Sequence, residues 1–451
     1  MPEAADEHPQ HLSAREAALA IWRSALAASA VDPLVRSALS LRGDALSCGA
    51  LTLDLRAIRH VVVLGCGKAG ASMARSVEDV LGDRVVEGFV VVKDGHTLPT
   101  RIVELSEAGH PVPDHRSEAA ARRILGLAQT AGPGDLIVLL ISGGGSALMS
   151  APAPPITLEE KRDVTRLLLA AGATIGELNA VRKHLSIIKG GQLARATTAP
   201  VLALLLSDVI GDPLDVIASG PTAPDPTTFA DALDVLTRRG VLDRVASSVR
   251  QRLVTGRHGD IPETPKPGDP VFNRVTHVVI GNNRLVVDAA ARSAAKLGYP
   301  PRIATLALEG EARDVAPALV AQARSLSPPA CLIAGGETTV TVRGAGRGGR
   351  CQEFALAAAL SLESADDLSV LAAGTDGTDG PTEAAGAVVD AETTGKGRAM
   401  GLDPHHALAD NDAYNFLNAT GDVIVTGPTN TNLLDLYIAV HSGARGVGEA
   451  V

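Results

Sequence analysis

The chain repeatedly sends an apolar run directly into a glycine-rich turn, and this pattern restricts the folds open to it. In the clearest case, Leu140 and Ile141 lead into residues 142–146, which contain three consecutive glycines. Similar runs end at residues 65–70, 335–337 and 374–377. Glycine after a strand lets backbone N–H groups approach an anion closely, and α/β sheets bind ligands outside the carboxyl ends of their strands. The pattern therefore predicts a protein that binds a phosphorylated ligand.

The alternation of apolar runs with helical segments predicts an α/β fold. With only 2% aromatic residues, the interior must be filled by alanine, valine and leucine. Such side chains suit parallel strands that are covered by helices on both faces. We expect a Rossmann-like, doubly wound N-terminal domain and a smaller α/β C-terminal domain, with the active site in the cleft between them.

A chain of 451 residues is too long for one core, so a domain boundary is expected. Residues 256–270 contain four prolines and three glycines, which cannot continue a helix or a central strand. We therefore predict a flexible tail at 1–14, an N-terminal domain at 15–255, a linker at 256–271 and a C-terminal domain at 272–451.

Composition excludes several classes of partner. The net charge of −10 argues against nucleic-acid binding, and no run approaches the ~18 apolar residues needed to span a membrane. The four cysteines lie far apart, which disfavours a zinc site or a disulfide framework. The acidic N-terminus is unlike a signal peptide. We expect a cytoplasmic protein with small-molecule substrates and leave homo-oligomerisation open.

The first glycine loop has three interpretations. Gly65, Gly67 and Gly70 fit the dinucleotide fingerprint G-x-G-x-x-G, and Asp94 lies where a ribose-binding acid is expected, which favours a dehydrogenase. Lys68, however, places an ammonium inside the turn, which suits a terminal or transferring phosphoryl group. A tight strand–helix turn without function also fits this motif.

The loops after the next two apolar runs carry hydroxyls and carboxylates. The candidate anion-binding residues are Ser142, Gly143, Gly144, Gly145 and Ser146, although a flexible turn with a serine cap would look the same. Asp208 follows the most apolar run, with Ser207 between them. It is a candidate proton acceptor or Mg²⁺ ligand, and an Asx cap is the alternative.

The C-terminal part contributes a basic turn and an acidic loop. Arg350 follows two glycines at the predicted start of a helix, where its guanidinium could bind phosphate in bidentate geometry. Asp376 and Asp379 could hold Mg²⁺ that carries a nucleotide, or form two Asx turns. The histidines at 96, 110 and 184 are interpreted as turn or helix-surface groups.

These motifs together resemble the type II glycerate kinase family, which has a MOFRL C-terminal domain. The resemblance runs from about residue 15 to the C-terminus. It rests on the blocks at 65–69, 107–114, 142–148, 179–186, 207–212, 219–222, 335–340, 349–353 and 374–382. Cys351 departs from the family pattern, in which asparagine is expected.

The resemblance implies ATP-dependent phosphorylation of D-glycerate to 2-phosphoglycerate, with ATP and Mg²⁺ as cofactors. It implies that Lys68 and Arg350 stabilise the charge on the transferred phosphoryl group. We add as hypotheses that Asp208 accepts the hydroxyl proton, that Asp376 and Asp379 bind the metal, and that Lys183 and Glu337 join the substrate and nucleotide contacts. The alternatives are an NAD(P)H-dependent hydroxypyruvate reductase and a non-catalytic nucleotide- or sugar-phosphate-binding protein.

Overall fold

The computed structural model describes residues 12–362 and 367–442, which form two compact units with fifteen strands and sixteen α-helices. The strands are β1 (Leu39–Arg42), β2 (Ala45–Cys48), β3 (Leu51–Asp54), β4 (Val61–Cys66), β5 (Val85–Lys93), β6 (Glu104–Ala108), β7 (Leu136–Ile141), β8 (Val201–Leu206), β9 (Val275–Gly281), β10 (Pro301–Leu308), β11 (Ala330–Gly336), β12 (Leu368–Gly374), β13 (Gly386–Asp390), β14 (Val423–Ile424) and β15 (Asp435–His441). The helices are α1 (Ala14–Ala28), α2 (Val31–Ala38), α3 (Gly70–Leu81), α4 (His115–Thr130), α5 (Gly145–Leu148), α6 (Leu158–Ala170), α7 (Ile175–His184), α8 (Gln192–Ala196), α9 (Phe229–Arg238), α10 (Ser247–Arg257), α11 (Asn283–Lys296), α12 (Ala312–Arg324), α13 (Arg350–Ser361), α14 (Thr393–Ala399), α15 (Pro404–Ala409) and α16 (Ala413–Thr420).

The first unit, the parallel-sheet unit, comprises residues 30–282 and 430–432. Its six strands are all parallel and lie in the order β6-β5-β4-β7-β8-β9. Numbered along the chain, this is the 3-2-1-4-5-6 order of dinucleotide-binding folds, with its switch point between β4 and β7. Strands β4, β7 and β8 are buried along their whole length, as an apolar run covered on both faces requires. The predicted Rossmann-like fold is confirmed.

Helices cover both faces of this sheet. Ala121 and Ile124 of α4 pack with Leu64 and Phe89 on one face. Because neighbouring residues of a strand point to opposite faces, Val90 points away from α4, and Gly70 at the start of α3 lies against it. Helices α6, α7, α9 and α10 form an apolar cluster of their own. Strands β1–β3 form a separate antiparallel sheet, which was not predicted.

The second unit, the mixed-sheet unit, comprises the described residues of 1–29, 283–429 and 433–451. Its strands lie in the order β10-β11-β15-β12-β13-β14. Among these six described strands, β10 and β11 form the one parallel pair, and β15 inserts antiparallel between β11 and β12. Helices α12, α13 and α16 share one apolar cluster with these strands. The smaller α/β domain is confirmed, with a mixed rather than a parallel sheet.

The unit boundary differs from the predicted domains at both ends. Strand β9 completes the parallel sheet, so the change of unit follows residue 282 and not the segment 256–271. Polar contacts hold that proline-rich segment in the parallel-sheet unit. Glu263 accepts the N–H of Phe229, and Thr264 donates to Asp225. The segment lacks regular structure over much of its length, but it is not a linker.

Helix α1 also lies outside its predicted domain. Arg15 donates to Asp390 at 3.2 Å and to Asp422 at 2.6 Å, which anchors the helix in the mixed-sheet unit. Ser13 caps α1 through a capping box. Most of the predicted tail, residues 1–11, lies outside the described residues.

No single helix within residues 12–362 and 367–442 is long and apolar enough to cross a membrane, and α1 and α2 reach that length and composition only when taken together.

A buried ion cluster joins three segments of the parallel-sheet unit. Lys183, 1% exposed, donates to Asp215 at 3.0 Å and to Asp225 at 3.3 Å. Asp225 also accepts from Thr227 and Thr264. Burial would raise the pKa of Asp225, but Lys183 and Thr227 hold it below its ordinary value. A fully buried carboxylate is tolerated here because an ammonium and three donor groups surround it.

A carboxylate from a distant loop caps helix α13. Gly349 at the N-cap has no side chain that could do so. Instead, Asp379 accepts the N–H of Cys351 at 3.1 Å and that of Gln352 at 2.8 Å. Burial raises the pKa of Asp379 to about 7, with Asp435 adding to the shift, even though the two N–H groups oppose it.

We predict that Lys183→Met lowers the free energy of unfolding by about 3–5 kcal/mol, because it leaves Asp225 charged, buried and without its ammonium. Urea denaturation of both proteins measures the difference. Lys296→Met, at an exposed position of α11, is the control and should change stability little. An unchanged unfolding midpoint for Lys183→Met would refute the structural role of the pair.

We also predict that Asp379 makes the folded protein less stable as the pH rises. The folded state holds a proton that the unfolded state, with an ordinary aspartate pKa, releases, so stability falls between about pH 4 and the folded pKa of about 7. From pH 5 to pH 8 the loss is roughly 2–3 kcal/mol. Asp379→Asn should remove this part of the pH dependence, whatever its effect on absolute stability, whereas Asp234→Asn, at an exposed position of α9, should keep it. Denaturant titrations at both pH values test this.

Candidate functional site

The two loops at the switch point of the parallel sheet are hydrogen-bonded to each other. Lys68 donates its backbone N–H to the Gly143 carbonyl at 2.9 Å, and Ser142 donates its own to the Cys66 carbonyl at 3.1 Å. The buried Ser142 hydroxyl accepts the N–H of Ala69 at 3.0 Å. Residues 65–70 and 142–146, predicted separately, therefore form one structure at the place where this fold binds ligands. Ser142 serves to position the loops.

Two glycines are required by how closely these segments approach. A β-carbon on Gly67, where φ is +128°, would lie 2.2 Å from the Ser142 hydroxyl oxygen. A β-carbon on Gly143 would lie 2.4 Å from the carboxylate of Asp208. Neither position can accept a larger residue without moving the loops, which explains the glycines physically.

Asp208 lies against the triple-glycine loop. It follows β8, the neighbour of β7, and accepts a hydrogen bond at 3.1 Å from the side-chain amide of Asn432. Asn432 belongs to the short segment 430–432 that returns to the parallel-sheet unit. The structure thus brings Asp208 to the predicted anion loop and adds Asn432, which no local sequence motif had indicated.

A strained turn supports the end of the same loop. Ala218 and Ser219 have positive φ angles of 50° and 60°, which are unfavourable for residues with side chains. The Ser219 hydroxyl lies 2.8 Å from that of Ser146 and donates to Asn179. The Ala218 carbonyl accepts from Lys189 at 3.3 Å. Such strain persists where the surroundings over-determine it, often at a binding site.

A cavity of about 610 Å³ opens beside Gly144 and Ser146. Its lining contains three basic residues, the buried Lys161 and Lys189 and the half-buried Arg182. Burial lowers the pKa of each and brings that of Lys189 to about 7. Neither of the two lysines was predicted from the sequence. The glycine pair that follows Lys189 was the sequence signal that could have indicated a binding residue there.

The structure does not bring Lys183 into this lining, because its ammonium is bound by Asp215 and Asp225. One of the three histidines, His184, differs from its interpretation as a turn or helix-surface group. His184 is buried and contacts Glu263 at 3.1 Å, and His110 lines the cavity. His96 contacts the carbonyl of Lys68 at 3.2 Å, and the Lys68 side chain is partly exposed.

In the mixed-sheet unit, Arg350 and Glu337 form a site of their own. Asp435, fully buried at the start of β15, accepts from the Arg350 guanidinium at 2.6 and 2.9 Å. Glu337 contacts the same guanidinium at 3.0 Å. The two residues predicted for this unit are therefore in contact, and Asp435 fixes the plane of the arginine.

The predicted metal pair does not fit a protein-held cation. Both carboxylate oxygens of Asp379 cap α13, and Asp376 accepts from the backbone N–H and hydroxyl of Thr378 in an Asx turn. Within residues 12–362 and 367–442, no group of three or more His, Cys, Asp or Glu residues could hold a metal. The alternative interpretation as Asx turns fits Asp376, and Asp379 is a helix cap.

Asp94 does not have the role expected in a dehydrogenase. It is exposed and forms a bidentate ion pair with Arg116 at 2.6 and 2.9 Å. A carboxylate already held in this way is a poor partner for a ribose hydroxyl.

Comparison with known proteins agrees with this architecture. Residues 17–254 match a domain of unknown function (DUF4147), and residues 330–435 match the MOFRL family. The D-glycerate 2-kinase of Thermotoga maritima is 43% identical over 86% of this chain and 92% of that protein. A protein of Agrobacterium vitis with the provisional name hydroxypyruvate reductase is 44% identical over 83% of this chain and 86% of that protein.

A solved crystal structure of a glycerate kinase is also similar to this chain. The glycerate kinase of Thermotoga maritima, 40% identical in the structural comparison, matches with a TM-score of 0.82 over 95% of this chain and 99% of that one. This chain therefore belongs to the type II glycerate kinase (glycerate 2-kinase) family, whose members carry a MOFRL domain.

Proposed function

We propose that this protein transfers the γ-phosphoryl group of ATP to the 2-hydroxyl of D-glycerate, giving 2-phosphoglycerate and ADP. The observation that carries the proposal is the pairing of a lysine-bearing loop with a triple-glycine loop at the switch point. Phosphoryl transfer needs positioning and cations around spreading negative charge more than it needs covalent chemistry. The D-glycerate 2-kinase name of a 43% identical relative supports the choice of acceptor.

Lys68 is the proposed cation of the parallel-sheet unit. Its backbone N–H is fixed by Gly143, so the start of its side chain is held at the ligand-binding edge of the sheet. Gly65, Gly67 and the loop at 142–146 provide close backbone approach to an anion. Arg350 is the proposed cation of the mixed-sheet unit, and its bond with Asp435 fixes its orientation before substrate binds.

Asp208 is the proposed proton acceptor. As the glycerate oxygen attacks the γ-phosphorus, its proton passes to the carboxylate of Asp208 and ADP leaves with the electrons of the broken P–O bond. Asn432 donates to one oxygen of this carboxylate and so orients it. Mg²⁺ enters as part of the substrate, bound to the phosphates of ATP, since such complexes need few protein ligands.

A reductase would use the same fold differently. Because one relative carries the provisional name hydroxypyruvate reductase, this alternative needs an experimental test. Against it stand Lys68 in the phosphate turn and the ion pair that occupies Asp94. Incubation with glycerate and Mg·ATP should produce ADP without a change in absorbance at 340 nm, and phosphorus NMR should identify 2-phosphoglycerate. Oxidation of NADH by hydroxypyruvate without ATP turnover would overturn the proposal.

We predict that Lys68→Ala lowers kcat by roughly 100-fold or more, because a preorganised cation is lost from the transition state. Steady-state assays of ADP formation measure the effect, and circular dichroism confirms folding. Lys296→Ala, exposed on α11, is the matched control and should keep wild-type kcat. Full activity in Lys68→Ala would move the proposed site elsewhere.

We predict that Asp208→Asn lowers kcat by roughly 100-fold or more, since an amide cannot accept the hydroxyl proton. The KM for ATP should change little. Asn432→Ala should have a smaller effect, because it removes only the hydrogen bond that orients Asp208. A pH–rate profile distinguishes the two: the acidic limb should vanish in Asp208→Asn and persist in Asn432→Ala. An unchanged profile in Asp208→Asn would exclude this residue as the base.

A further inference from the structure

The cavity beside the triple-glycine loop is basic in an acidic protein. Its lining carries five lysines and arginines against two carboxylates, although the whole chain has a net charge of −10. The two carboxylates, Glu159 and Asp163, are already paired with Arg162 and Arg166 at the surface of α6. The basic character of the deeper lining is therefore not neutralised by the acids of the cavity.

Lys161 is the most informative of these residues. It is 5% exposed, and its ammonium nitrogen has no hydrogen-bond partner among residues 12–362 and 367–442. An unpaired polar group in such a place costs stability, and natural proteins tolerate that cost mainly at sites with a function. Lys183, equally buried, has two carboxylate partners. The contrast indicates that the partner of Lys161 is a ligand.

The shape of the cavity favours a long ligand. Lys161 and Leu169 both line it and lie eight residues apart on α6, about 12 Å along the helix axis. Leu169 and Val112 are apolar and exposed. A volume of about 610 Å³ is in the range of sites for drug-sized molecules and is large for a three-carbon acid.

We propose that this cavity is the nucleotide site, with the phosphates beside Lys161, Arg182 and Lys189 and the base against Val112 and Leu169. The identity of the nucleotide rests on the proposed kinase function. Gly144 and Ser146 form the wall shared with the switch-point loops, so a phosphate chain in the cavity ends beside the residues assigned to phosphoryl transfer.

Protonation should accompany binding. Burial and the like charges of Lys189, Arg182 and Arg252 lower the pKa of Lys161 well below its ordinary value, although the charge of Glu118 opposes this shift. An anion beside Lys161 raises that pKa again. The same anion would raise the pKa of Lys189, which burial brings to about 7, so ADP binding near neutral pH should take up protons, which calorimetry detects as a dependence of the binding enthalpy on the buffer.

The first test is Lys161→Met in the full-length protein. Because the lysine is buried and unpaired, the ligand-free variant should unfold at the same temperature as the wild type or a higher one, while ADP binds about 10-fold or more weakly and with less proton uptake. The KM for glycerate should stay within about twofold. Unchanged ADP affinity would overturn the proposal, as would a raised KM for glycerate with ADP binding intact.

The second test uses surface residues, so that folding is not at risk. Leu169→Asp places a carboxylate at the proposed base end and should weaken ADP binding about 10-fold, with little effect on inorganic phosphate. Ile175→Asp is the matched control, because both side chains are 57% exposed and Ile175 does not line the cavity. Equal ADP affinity in the two variants would contradict the proposal. Calorimetry needs no turnover, so ADP binding that is lost in Leu169→Asp would support the cavity assignment even if glycerate were not phosphorylated.

Discussion

The backbone hydrogen bonds between the loops that follow β4 and β7 are the interaction on which the candidate site depends. The two strands pair in parallel with Cys66 opposite Ile141, so both loops leave the sheet at the same level. Their N–H and C=O groups can then satisfy each other, as buried backbone groups must. This single constraint places Lys68, holds the glycines of 142–146 at the carboxyl edge of the sheet, and leaves room for Asp208 from the next strand. The side chains of the site are positioned by backbone pairing more than by their own contacts.

The candidate site also contains backbone conformations and a buried charged group that are unfavourable for the stability of the fold. Ala218 and Ser219 adopt left-handed backbone angles, and Lys161 is buried without a partner within the described residues. Lys183 of the same unit, by contrast, is buried with two acids that compensate its charge. A kinase that must hold a highly charged nucleotide gains from cations that are already desolvated, because the ligand then supplies the missing partner. Stability and ligand affinity are therefore expected to oppose each other at Lys161.

The parts of the fold that could be predicted are those whose signals are local. Strands β7 and β8 agree residue for residue with their apolar runs, because continuous burial leaves no polar residue inside the strand. Strand β6 has the sequence Glu-Leu-Ser-Glu-Ala and was missed, since an edge strand needs little apolar character. The prediction of the domain boundary was wrong for a related reason. The prolines of 256–270 exclude regular structure, but only tertiary contacts such as that of Glu263 with Phe229 decide which unit the segment joins.

The same distinction between local and distant signals explains which residues of the candidate site could be predicted from the sequence. Glycine loops after strands are a local pattern, so the switch-point loops could be predicted. The role of a charged residue depends on its partner, and that partner is often remote in sequence. Asp379 resembles a metal ligand until the N–H groups of α13, 27 and 28 residues away, are placed on it. Lys183 and Lys189 lie six residues apart with similar burial. Asp225, 42 residues beyond Lys183, pairs with Lys183, whereas the backbone carbonyl of Ala218 contacts Lys189. The sequence thus indicates where cations are present, whereas tertiary packing determines which of them remain for a ligand.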